Sequence, residues 1–320
     1  MHPRNPVWPG YFADPFVLRT AEGYFAYGTG ETLEQSSNGV LGAFKVLRSQ
    51  DFVTWQVAGA ALTVAAETAQ NVYWAPEVAA YNGRYHLYYS SAPAGHDVKH
   101  RLRVALADDP LGPFIDRGPV LPEAEGFTID AHPFCDPRDK QWYLFFAKDY
   151  FDGRTGTGLA VAPLTPDLLR TKEPARTVLR ANADWQIYER NRVLYGRQWT
   201  AWHTSEGPCV TVREGRYYCF YSGGNWQTHD YGVSYATAEH PLGPWQHAPE
   251  TGPIVLRQHA GEILGPGHNS YTIAPDGSDV LVYHAWDPAR TARRMFIDRL
   301  EWTPAGPRCV GPYNAHSSLL

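Results

Sequence analysis

The sequence predicts an all-β fold, a five-bladed β-propeller with four-stranded antiparallel blades, and three observations carry that prediction. Its apolar stretches, RYHLYYSS, WYLFFA, RYYCFYS and DVLVYHAW, are short, aromatic and β-branched, and each follows a Gly, Asn or Asp turn signal. This hairpin pattern returns five times at nearly constant spacing. A second marker, PLGP, occurs in ALADDPLGPF at 105–114 and in ATAEHPLGPW at 236–245, at almost the same distance behind its hairpin.

In chain order, the second strands of the hairpins fall at 23–30, 83–91, 140–147, 215–224 and 278–286. Their first strand residues, Tyr24, Tyr85, Trp142, Tyr217 and Val280, stand 61, 57, 75 and 63 residues apart. The second unit shows what each contains. WAPEVAAY, an Asn82-Gly83 turn, RYHLYYSS, a polar loop, RLRVALA, then PLGP and FIDRGPVL read as four strands in sequence, and Asn-Gly supplies the positive backbone angles of a tight hairpin. Five such units fit a ring, which protects every sheet edge. A β-sandwich would also produce short strands, but without the shared period. Residues 1–320 therefore read as a single propeller domain. The best helix candidate, PDLLRTKEPARTVLR at 166–180, contains an interrupting proline. The stretch from 150 to 200, which makes the third interval the longest, reads as a loop able to close a pocket.

Composition narrows the partners. With 28 Lys and Arg against 33 acids, the net charge of −5 argues against a dedicated nucleic-acid binder, which needs a basic face. Neither the opening MHPRNPVWPG nor the ten-residue VAGAALTVAA approaches a signal h-region or a membrane span. The expected protein is thus not a membrane protein; it is cytoplasmic, or secreted with its leader absent from this chain, and its oligomeric state is open. The four cysteines lack metal-ligand spacing, and Cys209 and Cys219 read as buried thiols.

In a propeller the first strand of each blade lies nearest the axis. Ahead of the five hairpin markers stand Asp14 in YFADPFVL, Glu77 in YWAPEVAA, Asp130 in FTIDAHPF, Glu206 in TSEGPCV and His268 in GPGHNSYT, by 10, 8, 12, 11 and 12 residues. Singly, each has a plain structural reading as a turn residue, an ion-pair partner or a backbone-bonded imidazole. Together they predict four carboxylates and a histidine at one place. Burying like charges is expensive, so such a cluster points to chemistry. Paired carboxylates whose pKa values are pushed apart suit glycoside hydrolysis, with one protonated acid and one ionised base. No GxSxG elbow, Walker loop, GxGxxG before a helix or HExxH motif supports another class.

At these residues the chain resembles glycoside hydrolase family 43. The likeness covers nearly the whole chain: NPVWPGYFADPF, YWAPEVAAYNGRYHLYYS, DPLGPF, FTIDAHPF, TSEGPCVTVREGRYYCFYSGG, YGVSYATAEHPLGPW and GPGHNSYTIAPDG with VYHAWD. The resemblance implies a five-bladed propeller that inverts anomeric configuration, with Asp14 as general base, Glu206 as general acid and Asp130 orienting the acid and raising its pKa. It implies His268 near the axis beside a calcium or other divalent cation, and Arg294 contacting substrate hydroxyls, Arg293 being the adjacent register. Trp74 is the expected sugar platform, Phe127 a pocket wall beside Asp130, and Glu77 a further substrate-binding residue.

The resulting expectation is release of terminal β-D-xylosyl or α-L-arabinofuranosyl units, or both, from xylan- or arabinan-derived oligosaccharides. An endo-arabinanase and a non-catalytic carbohydrate-binding propeller are the alternatives. Larger relatives carry a C-terminal β-sandwich that closes the pocket, for which this sequence leaves no room; its own loops or another subunit are the expected closure.

Overall fold

The structure, a computed structural model, describes residues 4–35, 40–259 and 263–311; the predicted domain limits at 1 and 320 lie outside them. Five antiparallel meanders follow one another. The first contains β1 (Ala13–Thr20), β2 (Gly23–Thr29), the short β3 (Glu34–Gln35), β4 (Leu41–Ser49) and β5 (Gln56–Thr63). The second is β6 (Asn71–Tyr81), β7 (Arg84–Pro93), β8 (Arg101–Ala107) and β9 (Ile115–Pro119). The third is β10 (Thr128–Cys135), β11 (Trp142–Tyr150), β12 (Gly156–Pro163) and β13 (Arg176–Leu179). After it comes an extra strand, β14 (Ile187–Leu194), paired with the start of the long β15 (Arg197–Arg213). β15 opens the fourth meander, with β16 (Arg216–Gly223), β17 (Gly232–Ala238) and β18 (Gln246–His247). The last is β19 (Leu264–Ile273), β20 (Asp279–Trp286), β21 (Arg293–Thr303) and β22 (Gly306–Val310).

The predicted hairpin strands coincide with β2, β7, β11, β16 and β20. They read as continuous apolar runs because both faces are buried. In β2, Phe25 and Tyr27 pack toward the second meander while Tyr24 and Ala26 pack toward the fifth; in β20, Val280 and Val282 face the first meander while Leu281 and Tyr283 face the fourth. Among the described residues the core comprises five apolar clusters, each filling the space between two consecutive meanders, fifth to first included. The first strands follow the same cycle: β1 touches β6, β6 touches β10, β10 touches β15, β15 touches β19, and β19 returns to β1.

Two sequence expectations change. Residues 166–180 form no α-helix; after a turn around Thr165 they end in the edge strand β13, because Pro174 interrupts the helical pattern and Leu168, Val178 and Leu179 are claimed by the core. The stretch from 150 to 200 is not a loop. It holds β12, β13 and the β14–β15 hairpin, whose extra length explains the longest interval.

The first strands share one irregularity. Each carries a two-against-one bulge, at Ala13/Phe16, Trp74/Glu77, Ile129/His132, Glu206/Cys209 and Gly267/Ser270. The second residue of each bulge has positive φ: Asp14 49°, Ala75 49°, Asp130 57°, Gly207 57° and His268 48°. Side chains of neighbouring meanders hold four of these five kinks. The N–H of Ala75 donates to Thr29 Oγ1 at 2.8 Å, that of Gly207 to Asp130 Oδ2 at 3.0 Å, that of His268 to Ser222 Oγ at 2.7 Å and that of Asp14 to His284 Nδ1 at 3.1 Å.

Candidate active site

The bulges do more than bend the strands, since each sends at least one of its first two residues into one cavity of about 760 Å3. Asp14, Trp74, Ile129, Asp130, Glu206 and His268 all come from these ten positions and all line it. Phe127, Tyr188, Trp226 and Arg293 add aromatic and cationic walls.

Asp14 is buried and lines the cavity. His268 Nδ1, His284 Nδ1 and Arg293 Nη1 lie 3.4, 3.2 and 3.4 Å from its Oδ1. Burial works to raise the carboxyl's pKa, but the charges of His268 and then Arg293 outweigh it and hold it well below the usual carboxylate range. His268 experiences the reverse. Burial alone would lower its pKa, yet Asp14, Asp130 and Glu206 together raise it, favouring the imidazolium.

Asp130 is likewise buried, with His268 Nδ1 4.0 Å away and the Gly207 N–H donating to Oδ2. Burial pushes its pKa up to about 6; His268 opposes the shift, and the Asp14 charge adds to it. Glu206, whose Oε1 accepts the Tyr231 hydroxyl at 2.7 Å, is pushed up to about 7 by burial and then by the neighbouring Asp130, with the Tyr231 bond working the other way. The site therefore holds one carboxylate firmly ionised and another that keeps its proton toward neutrality. Such a pair can take a proton from one reactant and give one to another.

The predicted residues sort cleanly. Asp14, Asp130, Glu206 and His268 share the cavity, as do Trp74 and Phe127. Trp74 is held as a platform by the buried His100, whose ring stacks on it at 3.6 Å between centroids and 18° between planes. Two assignments need correction. Glu77 does not line the cavity; it is the fourth residue of its bulge, one layer below, where its Oε2 lies 2.7 Å from His132 Nδ1. The Val210 N–H donates to the other ring nitrogen of His132 at 3.0 Å, so the proton sits on Nδ1 and is given to Glu77. Arg294 also points away, its Nη2 3.0 Å from Asp287 Oδ2, because alternation along β21 turns the adjacent Arg293 inward. Arg293 reaches the Tyr11 hydroxyl at 2.7 Å and lies 4.4 Å from the Trp226 ring centroid.

Tyr231 and His284 escaped the sequence reading. Their rings stack at 6° and 5.9 Å, joining the partner of Glu206 to the partner of Asp14. The only available signal was their place in YGVSYAT and VYHAW, motifs otherwise explained as strands.

The donor set can be tested against a calcium ion, which takes six to eight oxygen ligands. His268 offers one nitrogen and directs Nδ1 at two carboxylates. Among the described residues no group of three or more His, Cys, Asp or Glu side chains is arranged to hold a metal. A cation here would take one nitrogen from His268 and the rest of its ligands from water, and the chemistry below uses none.

An all-β ring with paired carboxylates of opposed protonation in one cavity defines a hydrolase-like site. The chain belongs to the glycosyl hydrolases family 43, whose sequence model matches residues 3–307. It is 29% identical to Beta-D-galactofuranosidase xynD of Aspergillus niger over 94% of this chain and 83% of that protein. To an extracellular exo-alpha-(1->5)-L-arabinofuranosidase of Streptomyces chartreusis it is 30% identical over 66% of this chain and 62% of that one. A solved thermostable family-43 glycoside hydrolase superposes with a TM-score of 0.82 at 31% identity, covering 97% of this chain and 96% of the other.

Proposed function

We propose that this protein is a five-bladed propeller and an inverting glycosidase that releases terminal α-L-arabinofuranosyl or β-D-xylosyl units from arabinan- or xylan-derived oligosaccharides. The observation that carries the reading is the opposed protonation of Asp14 and Glu206 within one cavity. Asp14 takes a proton from water as the water oxygen bonds to the anomeric carbon; the glycosidic bond breaks, and Glu206 gives its proton to the departing oxygen. A single displacement of this kind needs room for water, with carboxyls roughly 6.5–9.5 Å apart. Asp130 positions the acid through the Gly207 N–H, and its charge adds to burial in keeping the acid protonated. Arg293, beside Asp14, is placed to bind a sugar hydroxyl, and Trp74 offers an apolar sugar face its platform.

Both relatives are named as furanosidases, which favours the arabinofuranosyl arm. The Streptomyces relative is also named as extracellular, which favours the secreted compartment.

Nitrophenyl α-L-arabinofuranoside, β-D-xyloside and β-D-galactofuranoside, followed by proton NMR of the first-formed anomer, provide the test. The expected result is turnover of at least one, with inverted product. Retained product would refute single displacement, internal cleavage of debranched arabinan alone would make the enzyme an endo-arabinanase, and binding without turnover would make it a lectin. Glu206→Ala should lose about 10²- to 10⁴-fold on oligosaccharides and much less on nitrophenyl glycosides, whose leaving group needs little protonation. Equal losses on both would remove the acid assignment.

A further inference from the structure

The cavity continues well past the three acids. Along β15, Thr204 and Trp202 stand two and four residues before Glu206 on the same strand face, and all three line the cavity. At about 3.3 Å per residue they lie roughly 7 and 13 Å beyond the acid. Thr204 pairs with Thr157 on β12, and Thr157 pairs with Asp149 on β11, so a polar row runs sideways from the acid's strand to Asp149. Both Thr157 and Asp149 face the cavity.

Asp149 is fixed but not saturated. Thr157 Oγ1 donates to Oδ1 at 2.9 Å, and the Tyr195 hydroxyl, from the turn of the β14–β15 hairpin, donates to Oδ2 at 2.6 Å. An ionised carboxylate accepts about four hydrogen bonds, so these two donors do not exhaust Asp149, which itself lines the cavity. Arg192, on the same hairpin, lines the cavity nearby.

A general acid marks the leaving-group side of a glycosidic bond, because it must reach the departing oxygen. We infer that Asp149, held by Thr157 and Tyr195 in the wall built by the β14–β15 hairpin, binds hydroxyls of a sugar on the leaving-group side. The hairpin thus selects oligosaccharides over glycosides with a non-sugar leaving group. This inference rests on the glycosidase reading above and adds to it the part of the substrate that the hairpin recognises.

The test compares kcat/KM for arabinotriose or xylotriose with that for the nitrophenyl glycoside of the same terminal sugar, in the wild type, Asp149→Asn and Tyr195→Phe. Asp149→Asn should lower the ratio of oligosaccharide to aryl glycoside roughly 10- to 100-fold, the effect of losing hydrogen bonds to a charged group. It should act mainly through KM. Tyr195→Phe, which leaves the carboxylate in place but frees it to turn, should lower the same ratio by a smaller factor and carries the test if the Asn variant fails to fold. A ratio within twofold of wild type in the folded variants overturns the inference and leaves the glycosidase reading intact. Wild-type protein inactive on both substrates removes the glycosidase reading and this inference with it.

Discussion

Glu206 and Asp14 are both acids in one cavity, and what separates them is company. Asp14 faces three nitrogen-bearing side chains, Glu206 faces another carboxylate, Asp130, and a phenol, Tyr231. The pH dependence follows from this difference. Glu206 works only while protonated, so kcat/KM should fall as pH rises through about 7. Asp14 works only while ionised, and its lowered pKa keeps it so through the mildly acidic range. Two substitutions should move the alkaline limb in opposite directions. Asp130→Asn keeps an acceptor for the Gly207 N–H but removes a charge that raises the Glu206 pKa, so the limb should shift to lower pH. Tyr231→Phe removes a bond that favours ionised Glu206, so the limb should shift to higher pH. Profiles of kcat/KM for the three proteins check both signs, and a limb that neither variant moves would show that another group sets it.

At the scale of the strand, the repeated bulge explains why the site residues can stand where they do. Four side-chain-bearing residues accept the left-handed backbone, which costs on the order of 1–2 kcal/mol each, and only the fourth meander uses glycine, Gly207. A Cβ there would lie 3.2 Å from His268 Cγ. Gly207→Ala should therefore cost about 1–2 kcal/mol in urea unfolding, while kcat falls by more than that loss of stability explains, since the contact pushes on His268 and on the residue next to the acid. A variant that loses stability but not kcat would show that this close approach matters only to folding.

The same bulge accounts for what the sequence concealed. Asp14, Asp130, Glu206 and His268 were legible because each is a charged or titratable group in an apolar strand at a recurring distance from a hairpin. Glu77 met the same criterion but belongs one layer lower. The aligned prolines of Ala-Asp-Pro-Phe, Trp-Ala-Pro-Glu and Glu-Gly-Pro-Cys fix the fourth position in each bulge, and Glu77 falls there together with Cys209. Spacing to the hairpin, which varies by a few residues, could not resolve a shift of two. Arg293 and Arg294 posed a smaller version of this problem. Adjacent residues of a strand face opposite ways, and only the pairing of Trp286 with Arg293 settles which way. The β14–β15 hairpin was readable as an excess of length but not as strands, because its residues, IYERNRVL, are mostly polar and face solvent or the cavity rather than a core.

The ring as a whole must be closed by chain segments far apart in sequence, and the structure shows which groups close it. The main chain of Val7 and Phe12 donates to Met295 and Arg293 at 2.9 Å each. Asn5 completes the join: its Oδ1 accepts the Ile297 N–H at 2.9 Å, and its Nδ2 donates to Ile297 O at 3.1 Å and Asp298 Oδ1 at 2.9 Å. Ile297 is fully buried. Asn5→Ala leaves that amide without this acceptor, a loss of about 1–3 kcal/mol. Each meander buries both of its faces against neighbours, so weakening one seam should lower the stability of all five together. Urea unfolding of Asn5→Ala should then show a lower midpoint with an unchanged slope, and the transitions followed by tryptophan fluorescence and by residual activity should coincide. Arg293, which holds Asp14 from the same strand β21, makes activity a sensitive reporter of this seam. Activity lost well before fluorescence would mean that the seam opens locally beside Asp14 while the rest of the ring stays folded.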